Sequence, residues 1–257
     1  MNPDLDESVA QAMEADVRLL PFLPELLADL WELGPAAEQV VAALESVGVG
    51  PDSTVLDLAC GKGAVAVALA ERLGVRVVGI DAFPPFLQAA QALAAERGVS
   101  PKCRFEQGDI RNLLGKEEQY DVALLLSVGP VLGDYEQTMA WLRNLVRTGG
   151  YIVIEDGFLA DGVAHLPPAE GYVGHSETLR QLTACRDVVV QESICPMEQT
   201  RSVNQRNTDL IRQRASLLRA SHPAFEQLID EYVARQERET RTLGTDVLCA
   251  IWVLRRT

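Results

Sequence analysis

The sequence predicts an α/β protein built on a doubly wound, mostly parallel sheet of seven strands. Two observations support this fold class. From residue 54 onwards, short runs rich in Val, Ile and Leu alternate with amphipathic segments of helical length. The apolar runs are almost continuous, which is typical of strands covered by helices on both faces. Such alternation implies right-handed crossovers between parallel strands, and therefore a doubly wound sheet.

Strand and helix patterns alternate along most of the chain. The strand patterns cover residues 54–59, 75–80, 104–107, 120–126, 151–154, 187–194 and 246–255. The helical patterns cover residues 64–73, 84–97, 135–147, 176–184, 201–220 and 223–242. Gly74, Gly98 and the pair Gly149-Gly150 follow the first three helices, where a left-handed cap is expected. The two long helices before the last strand form a helical insertion.

Residues 1–50 are strongly acidic, with ten acids against one base, and predict an N-terminal helical cap. Helices opening at Pro24 and Pro35 suit the preference of proline for the first helical turn. We predict one domain over residues 1–257, with the cap at 1–50, the ligand-binding core at 51–160 and a substrate side at 161–257. The Gly- and Pro-rich loop 157–175 and the cap would enclose a small pocket if both fold over the carboxyl edge of the sheet.

The net charge and the spacing of the cysteines restrict the classes of partner that we expect. The chain has 37 acids and 23 bases, a net charge of −14, which repels phosphate backbones and anionic lipid. The five cysteines are far apart, which favours reduced thiols in a cytoplasmic protein over disulfides or a zinc site. The N-terminus lacks a secretory apolar region, and no apolar run reaches about 18 residues. We therefore expect a small-molecule partner without nucleic acid, membrane or metal, and a monomer or homodimer.

Acidic residues follow three consecutive strand patterns. The first strand runs into Asp57 and the turn Cys60-Gly61-Lys62-Gly63, the second ends at Asp81, and Asp109 follows the third. In an open parallel sheet, ligands bind at the carboxyl ends of the strands beside a topological switch. Each acid alone is more often a helix cap or turn former. Their occurrence at three neighbouring strand ends indicates a binding site.

These segments resemble the class I S-adenosylmethionine-dependent methyltransferases. VLDLACGKG is similar to the first motif of that family, and GIDAFPPFLQAA to the segment after its second strand. FEQGDI resembles the adenine-side segment, and LVRTGGYIVIED the entry into its fifth strand. The resemblance covers residues 40–160 well and the remainder loosely. It implies the Rossmann-like methyltransferase fold, S-adenosylmethionine as cofactor, and methyl transfer to a small molecule by in-line displacement.

The resemblance also implies which residues bind the cofactor. They are Asp57, Ala59, Cys60, Gly61, Gly63, Asp81, Ala82, Asp109, Ile110, Ser127 and Val128. Asp57 would help to hold the methionine ammonium, Asp81 would accept from both ribose hydroxyls, and Asp109 would accept from the adenine amino group. The backbone N–H of Ile110 would serve a ring nitrogen, and Ser127 with Val128 would border the sulfonium. Cys60 is interpreted as packing rather than as a nucleophile.

A nicotinamide-dependent oxidoreductase is the nearest alternative. Gly61-x-Gly63-x-x-Ala66 fits the dinucleotide fingerprint, and Asp81 follows Gly61 by 20 residues, as a ribose-binding acid should. Asp57 argues against a dinucleotide-binding site, because a carboxylate just before the loop does not favour the binding of a pyrophosphate. A non-catalytic binding protein on the same scaffold is the other alternative, since fold does not fix function.

The sequence does not identify a catalytic base or the methyl acceptor. A base is required only where the acceptor keeps its proton at neutral pH. Asp156, His165 and His175 are candidates, because they lie at or after the fifth strand. Ser127-Val128-Gly129-Pro130 stands where amino-methyltransferases have [ND]-P-P-[YFW], which disfavours nucleic-acid amino groups as acceptors. No catechol-type metal site is evident.

Overall fold

The computed structural model describes residues 3–32, 34, 36–113, 119–163, 171–243 and 245–257. Its seven strands form one sheet in the order β3-β2-β1-β4-β5-β7-β6. The strands are β1 (Thr54–Leu58), β2 (Arg76–Asp81), β3 (Cys103–Gln107), β4 (Tyr120–Leu126), β5 (Val146–Leu159), β6 (Val188–Ile194) and β7 (Val247–Arg255). The chain starts in the middle of the sheet at β1, moves outward to β3, and returns to β4 on the other side of β1. This reversal is the topological switch that the predicted fold class requires.

Most of the sheet is parallel, and one antiparallel strand lies near its end. The pairs β1–β2, β1–β4, β2–β3 and β4–β5 are all parallel. Strand β7 is antiparallel to β5, because Arg256 at its end exchanges backbone hydrogen bonds with Gly149 and Gly150 near the start of β5. The prediction of a mostly parallel, doubly wound, seven-stranded sheet is confirmed.

Helices occupy most of the predicted positions. They are α1 (Pro3–Ala12), α2 (Leu23–Leu26), α3 (Ala37–Ser46), α4 (Ala64–Arg72), α5 (Pro84–Glu96), α6 (Tyr135–Leu142), α7 (His175–Leu182), α8 (Met197–Ser221) and α9 (Glu226–Leu243). Pro24 lies in the first turn of α2, as predicted, whereas Pro35 lies outside the described residues. Among the described helices, none combines the length and apolar character needed to cross a bilayer.

The predicted helix 135–147 is too long, and the predicted strand 151–154 is too short. Helix α6 ends at Leu142, where the side chain of Asn144 donates hydrogen bonds to the carbonyls of Ala140 and Trp141 at 2.9 and 3.2 Å. These bonds satisfy the carbonyls that a helix end leaves free. Strand β5 then begins at Val146 and includes the predicted glycine cap as a bulge, with Gly149 at φ +83°. It continues to Leu159, so the first residues of the predicted loop 157–175 are strand.

Contacts within the chain group the described residues into two compact units. One comprises residues of Met1–Trp31, Gly157–Gly174 and Ile194–Cys249, and the other comprises residues of Glu32–Asp156, His175–Ser193 and Ala250–Thr257. The interpretation of residues 1–257 as one domain, and of a pocket enclosed by the cap, stays a prediction.

The first unit is built on the antiparallel pair α8 and α9 with the N-terminal helices. Arg214 on α8 forms a two-bond ion pair with Asp29, at 2.6 and 2.5 Å. The ring of Phe22 lies 4.8 Å from the rings of both His222 and Phe225, at the turn between α8 and α9.

The second unit contains the carboxyl ends of the parallel strands. Its core joins one face of the sheet to α3 and α4, and Val40, Leu44, Val55, Ala66, Leu69, Val77, Val122 and Val153 are members of this cluster. The central strands β1 and β4 are buried along nearly their whole length, so both of their faces lie in the interior. This packing fixes the strand ends from which the polar side chains project.

Candidate functional site

The strand register brings the ends of β1, β2 and β3 side by side. Asp57 on β1 lies opposite Gly79 on β2, and Asp81 at the end of β2 lies opposite Gln107 at the end of β3. Neighbouring strands in a sheet lie about 4.8 Å apart. The segments with Asp57, Asp81 and Asp109 therefore meet at one edge of the sheet.

Asp81 ties the turn after β1 to the end of β2. Its Oδ2 accepts a hydrogen bond from the backbone N–H of Gly61 at 2.8 Å, and its Oδ1 accepts from the N–H of Phe83 at 2.8 Å. The side chain is buried, which raises the pKa of Asp81, while the two backbone hydrogen bonds lower it. Each carboxylate oxygen has two lone pairs, so both retain the capacity to accept one further bond.

The turn after β1 adopts an unusual backbone. Ala59, Gly61 and Gly63 all have positive φ, at +54°, +53° and +75°. The N–H of Cys60 donates to the carbonyl of Ile80 at 3.0 Å, which extends the pairing of β1 with β2 into the turn. At Gly63 a Cβ atom would lie 2.7 Å from the Cβ of Ala90 on α5, so only glycine fits there.

Asp57 before this turn and the thiol of Cys60 within it are both in a desolvated environment. Burial, with a smaller contribution from the nearby charge of Asp81, raises the pKa of Asp57 to about 7. Burial also raises the pKa of the Cys60 thiol, and the charges of Asp57 and Asp81 raise it further. A thiol with a raised pKa carries little thiolate and is a poor nucleophile. This favours the interpretation of Cys60 as packing.

We expect the effect of Asp57→Asn on the free energy of unfolding to be more favourable at pH 8 than at pH 5. The folded-state pKa of Asp57 lies above its ordinary value of 3.8, so folding loses stability as pH rises from about 4 to about 7. Asparagine does not ionise and so removes this loss. We therefore expect the difference in unfolding free energy between the variant and the original protein to be about 2 kcal/mol more favourable at pH 8 than at pH 5. Urea denaturation at both pH values measures it.

The exposed Asp52→Asn serves as the matched control for Asp57→Asn, with no such difference expected. Other carboxyl groups with a raised pKa, such as that of Glu155, are present in all three proteins, so their contributions to the pH dependence cancel in the comparison. An equal effect of Asp57→Asn at pH 5 and pH 8 would show that Asp57 stays ionised in the fold.

Asp109 is hydrogen-bonded to Arg111, which lies two residues further along the chain. Its carboxylate accepts bonds from the backbone N–H of Arg111 at 2.9 Å and from the guanidinium at 2.6–3.0 Å, which lowers the pKa of Asp109. It also caps the short 3₁₀ turn Ile110–Asn112. Ile110 is buried, and the carbonyl of Ala82 accepts a 3.4 Å bond from the Gln107 side chain. Asp109 would have to share its oxygens with Arg111 to bind an adenine amino group.

Ser127 lies just past β4, next to a carboxyl group that our sequence analysis did not assign to the site. Its backbone has φ +54°, its hydroxyl donates a hydrogen bond to Oε2 of Glu155, and its N–H donates to the Glu155 carbonyl at 2.8 Å. A Cβ on Gly34 would lie 2.9 Å from the Ser127 hydroxyl, so the chain before α3 also approaches this point closely. Val128 follows directly.

Glu155 follows the predicted strand 151–154 directly, and in the structure it lies inside β5. It is buried, and burial raises its pKa to about 7, although the hydrogen bond from Ser127 lowers it. An acid that interrupts the apolar run YIVIEDGFL is the sequence signal that could have identified it.

The two described candidates for a base, Asp156 and His175, lie on different elements. Asp156 lies next to Glu155 on β5. His175 begins α7, and its Nε2 lies 2.7 Å from Oε1 of Glu192 on the edge strand β6, so β4, β5 and β7 separate that strand from β1. His165 lies outside the described residues. Their catalytic roles stay predictions.

Comparison with known proteins agrees with the fold and the motifs. Residues 55–150 match the family model of a methyltransferase domain. The chain is 34% identical over 146 residues to the 2-heptyl-1-hydroxyquinolin-4(1H)-one methyltransferase of Mycobacteroides abscessus, a match that covers 55% of this chain and 60% of that protein. The chain spans about half the length of the curated relatives it matches, between 42 and 60%.

Solved structures share the fold over nearly the whole chain. The protein YjhP from E. coli superposes with a TM-score of 0.80 at 17% identity, covering 93% of this chain and all of that one. A methyltransferase from Thiobacillus denitrificans, solved with S-adenosyl-L-homocysteine, superposes with a TM-score of 0.78 at 17% identity and covers 92% of this chain and 98% of that one. At these identities the likeness shows the fold alone.

Proposed function

We propose that this chain, which belongs to the family of class I S-adenosylmethionine-dependent methyltransferases, transfers the methyl group of S-adenosylmethionine to a small-molecule acceptor. The observation that carries this proposal is the meeting of Asp57 and Asp81 at the glycine turn after β1. A buried carboxyl group beneath the turn suits a ligand with an ammonium and a sulfonium. It does not suit a pyrophosphate, which would bring two further negative charges beside it.

The proposed roles follow the geometry of the strand ends. Asp57 faces the methionine ammonium, directly or through water, and Asp81 accepts from the ribose hydroxyls with its remaining lone pairs. Gly61 and Gly63, with Ala59 and Cys60, let the backbone approach the ligand, and Ala82, Asp109 and Ile110 border the adenine. Ser127 and Val128 border the sulfonium.

The cofactor supplies an electrophilic methyl group on a good leaving group. The chain's own contribution is therefore to position the acceptor in line with the methyl and the sulfur. Such positioning can supply about 7–11 kcal/mol of the barrier reduction. We further propose that the acceptor is neutral or cationic and is not a nucleic acid, since the chain carries a net charge of −14 and lacks a basic stripe.

Calorimetric titration tests the cofactor. We expect S-adenosylmethionine and S-adenosylhomocysteine to bind, and NAD to give no heat beyond dilution at the same concentration. Binding of NAD alone would favour the oxidoreductase alternative, which the fingerprint Gly61-x-Gly63-x-x-Ala66 keeps open.

A product assay with labelled S-adenosylmethionine separates an enzyme from a non-catalytic binding protein. The acceptor panel begins with 2-heptyl-1-hydroxyquinolin-4(1H)-one, because the relative from Mycobacteroides abscessus is named for it, and continues with other small O- and N-nucleophiles. Labelled product from any member supports the proposal. Binding without transfer to a broad panel would favour the non-catalytic alternative.

A further inference from the structure

A buried glutamate, Glu155, is paired with the exposed Ser127 just past the end of β4, beside the proposed cofactor. Ser127 donates both its hydroxyl and its backbone N–H to Glu155, so two hydrogen bonds fix the pair. The left-handed backbone of Ser127 is rare for a residue with a side chain, and it is held here by these bonds and by the close approach of Gly34. The pair is therefore built into the fold and is not a chance surface contact.

The pair is close to the glycine turn. Leu58 at the end of β1 lies opposite Leu125 on β4, and Leu126 lies opposite Glu155 on β5. Glu155 is thus two strands from the end of β1, roughly 10 Å away across the sheet, with Ser127 between them. A ligand whose methionine part lies at the glycine turn would extend its reactive end towards this pair.

We propose that the Ser127–Glu155 pair makes the site discriminate between the cationic methyl donor and its neutral demethylated product. This inference rests on the proposed function. S-adenosylmethionine and S-adenosylhomocysteine differ by one methyl group and one positive charge at sulfur. A buried carboxylate attracts the sulfonium and gains nothing from the thioether, so its ionisation stabilises the donor complex selectively. The product then dissociates more readily than the donor.

The charges around the pair make the effect dependent on pH. Burial raises the pKa of Glu155 to about 7, and repulsion by Asp156, the next residue on β5, makes a smaller contribution in the same direction. Asp57 on β1 also titrates near pH 7, and its charge acts on the sulfonium as well as on the ammonium, so Asp57 also contributes to the ratio of the two dissociation constants. Removing the carboxyl group of Glu155 therefore measures the part of the pH dependence that belongs to the pair.

The experiment measures the dissociation constants of S-adenosylmethionine and S-adenosylhomocysteine by calorimetry between pH 6.0 and 8.5. We expect the preference for S-adenosylmethionine to rise about three- to tenfold over this range. In Glu155→Gln the rise should be clearly smaller, and the remainder belongs to Asp57. Glu71→Gln, which removes an exposed carboxylate on α4, should behave as the original protein does.

A second variant keeps the test decisive if Glu155→Gln fails to fold. Ser127→Gly tolerates the left-handed backbone but removes the hydroxyl that lowers the pKa of Glu155. Its ratio should still rise with pH, with a midpoint at higher pH than in the original protein. A flat ratio in the original protein, or an unchanged rise in folded Glu155→Gln, would overturn the inference and leave the proposed function standing. If S-adenosylmethionine does not bind at all, the proposed function fails and the inference fails with it.

Discussion

Replacing Asp81 by alanine is expected to weaken binding of S-adenosylmethionine by about 1.5–3 kcal/mol, which is roughly ten- to 150-fold. In the proposed complex, the carboxylate of Asp81 accepts hydrogen bonds from the ribose hydroxyls, and bonds to a charged acceptor are stronger than neutral ones. The same carboxylate holds the N–H groups of Gly61 and Phe83, both at 2.8 Å. Alanine therefore removes a ligand contact and loosens the turn at once.

These two effects of Asp81→Ala can be separated by varying the ligand. The titration is repeated with 5′-methylthioadenosine and with its 2′,3′-dideoxy counterpart, and urea denaturation confirms that the variant is folded. If Asp81 binds the hydroxyls, the substitution should weaken the first ligand clearly more than the second. An equal loss for both would assign Asp81 to the turn alone, and unchanged affinity in a folded variant would refute its role in the site.

The placement of the strand ends could be predicted from the sequence, because it follows from the order of the elements. Apolar runs separated by helices predict neighbouring parallel strands, and an acid at the end of each then predicts a polar edge. Asp57 and Asp81 meet there as this reasoning requires. The glycines beside them were recognisable since a turn that approaches a ligand and a neighbouring helix needs residues without side chains.

Other features depend on side-chain contacts that sequence spacing does not specify. The end of α6 is set by Asn144, whose side chain caps the helix before the glycine pair that the sequence suggested as a cap. Asp109 pairs with Arg111, two residues on, so its availability to a ligand depends on a local conformation. Glu155 was recognisable as an acid in a strand, but its bond to Ser127 depends on the register of β4 and β5.

Replacing Gly63 by alanine is expected to destabilise the fold by about 2–5 kcal/mol. Gly63 precedes α4 with φ +75°, a conformation that costs a residue with a Cβ about 1–2 kcal/mol. The new Cβ would also lie 2.7 Å from the Cβ of Ala90 and 3.1 Å from the ring of Phe105. Such overpacking adds about 1–3 kcal/mol, because helix α5 has to move away from the turn. Urea denaturation followed by circular dichroism measures the change.

Gly98→Ala is the matched control, because Gly98 has nearly the same φ, +70°, but an added Cβ there would have no other atom within 4 Å. It should lose only the conformational part, about 1–2 kcal/mol. The double variant Gly63→Ala/Ala90→Gly provides a second check, since removing the Ala90 Cβ reopens the space at the turn. The two substitutions together should then destabilise by less than the sum of their separate effects. Equal losses for Gly63→Ala and Gly98→Ala, with simple additivity in the double variant, would show that close packing against α5 is not what requires glycine in the turn.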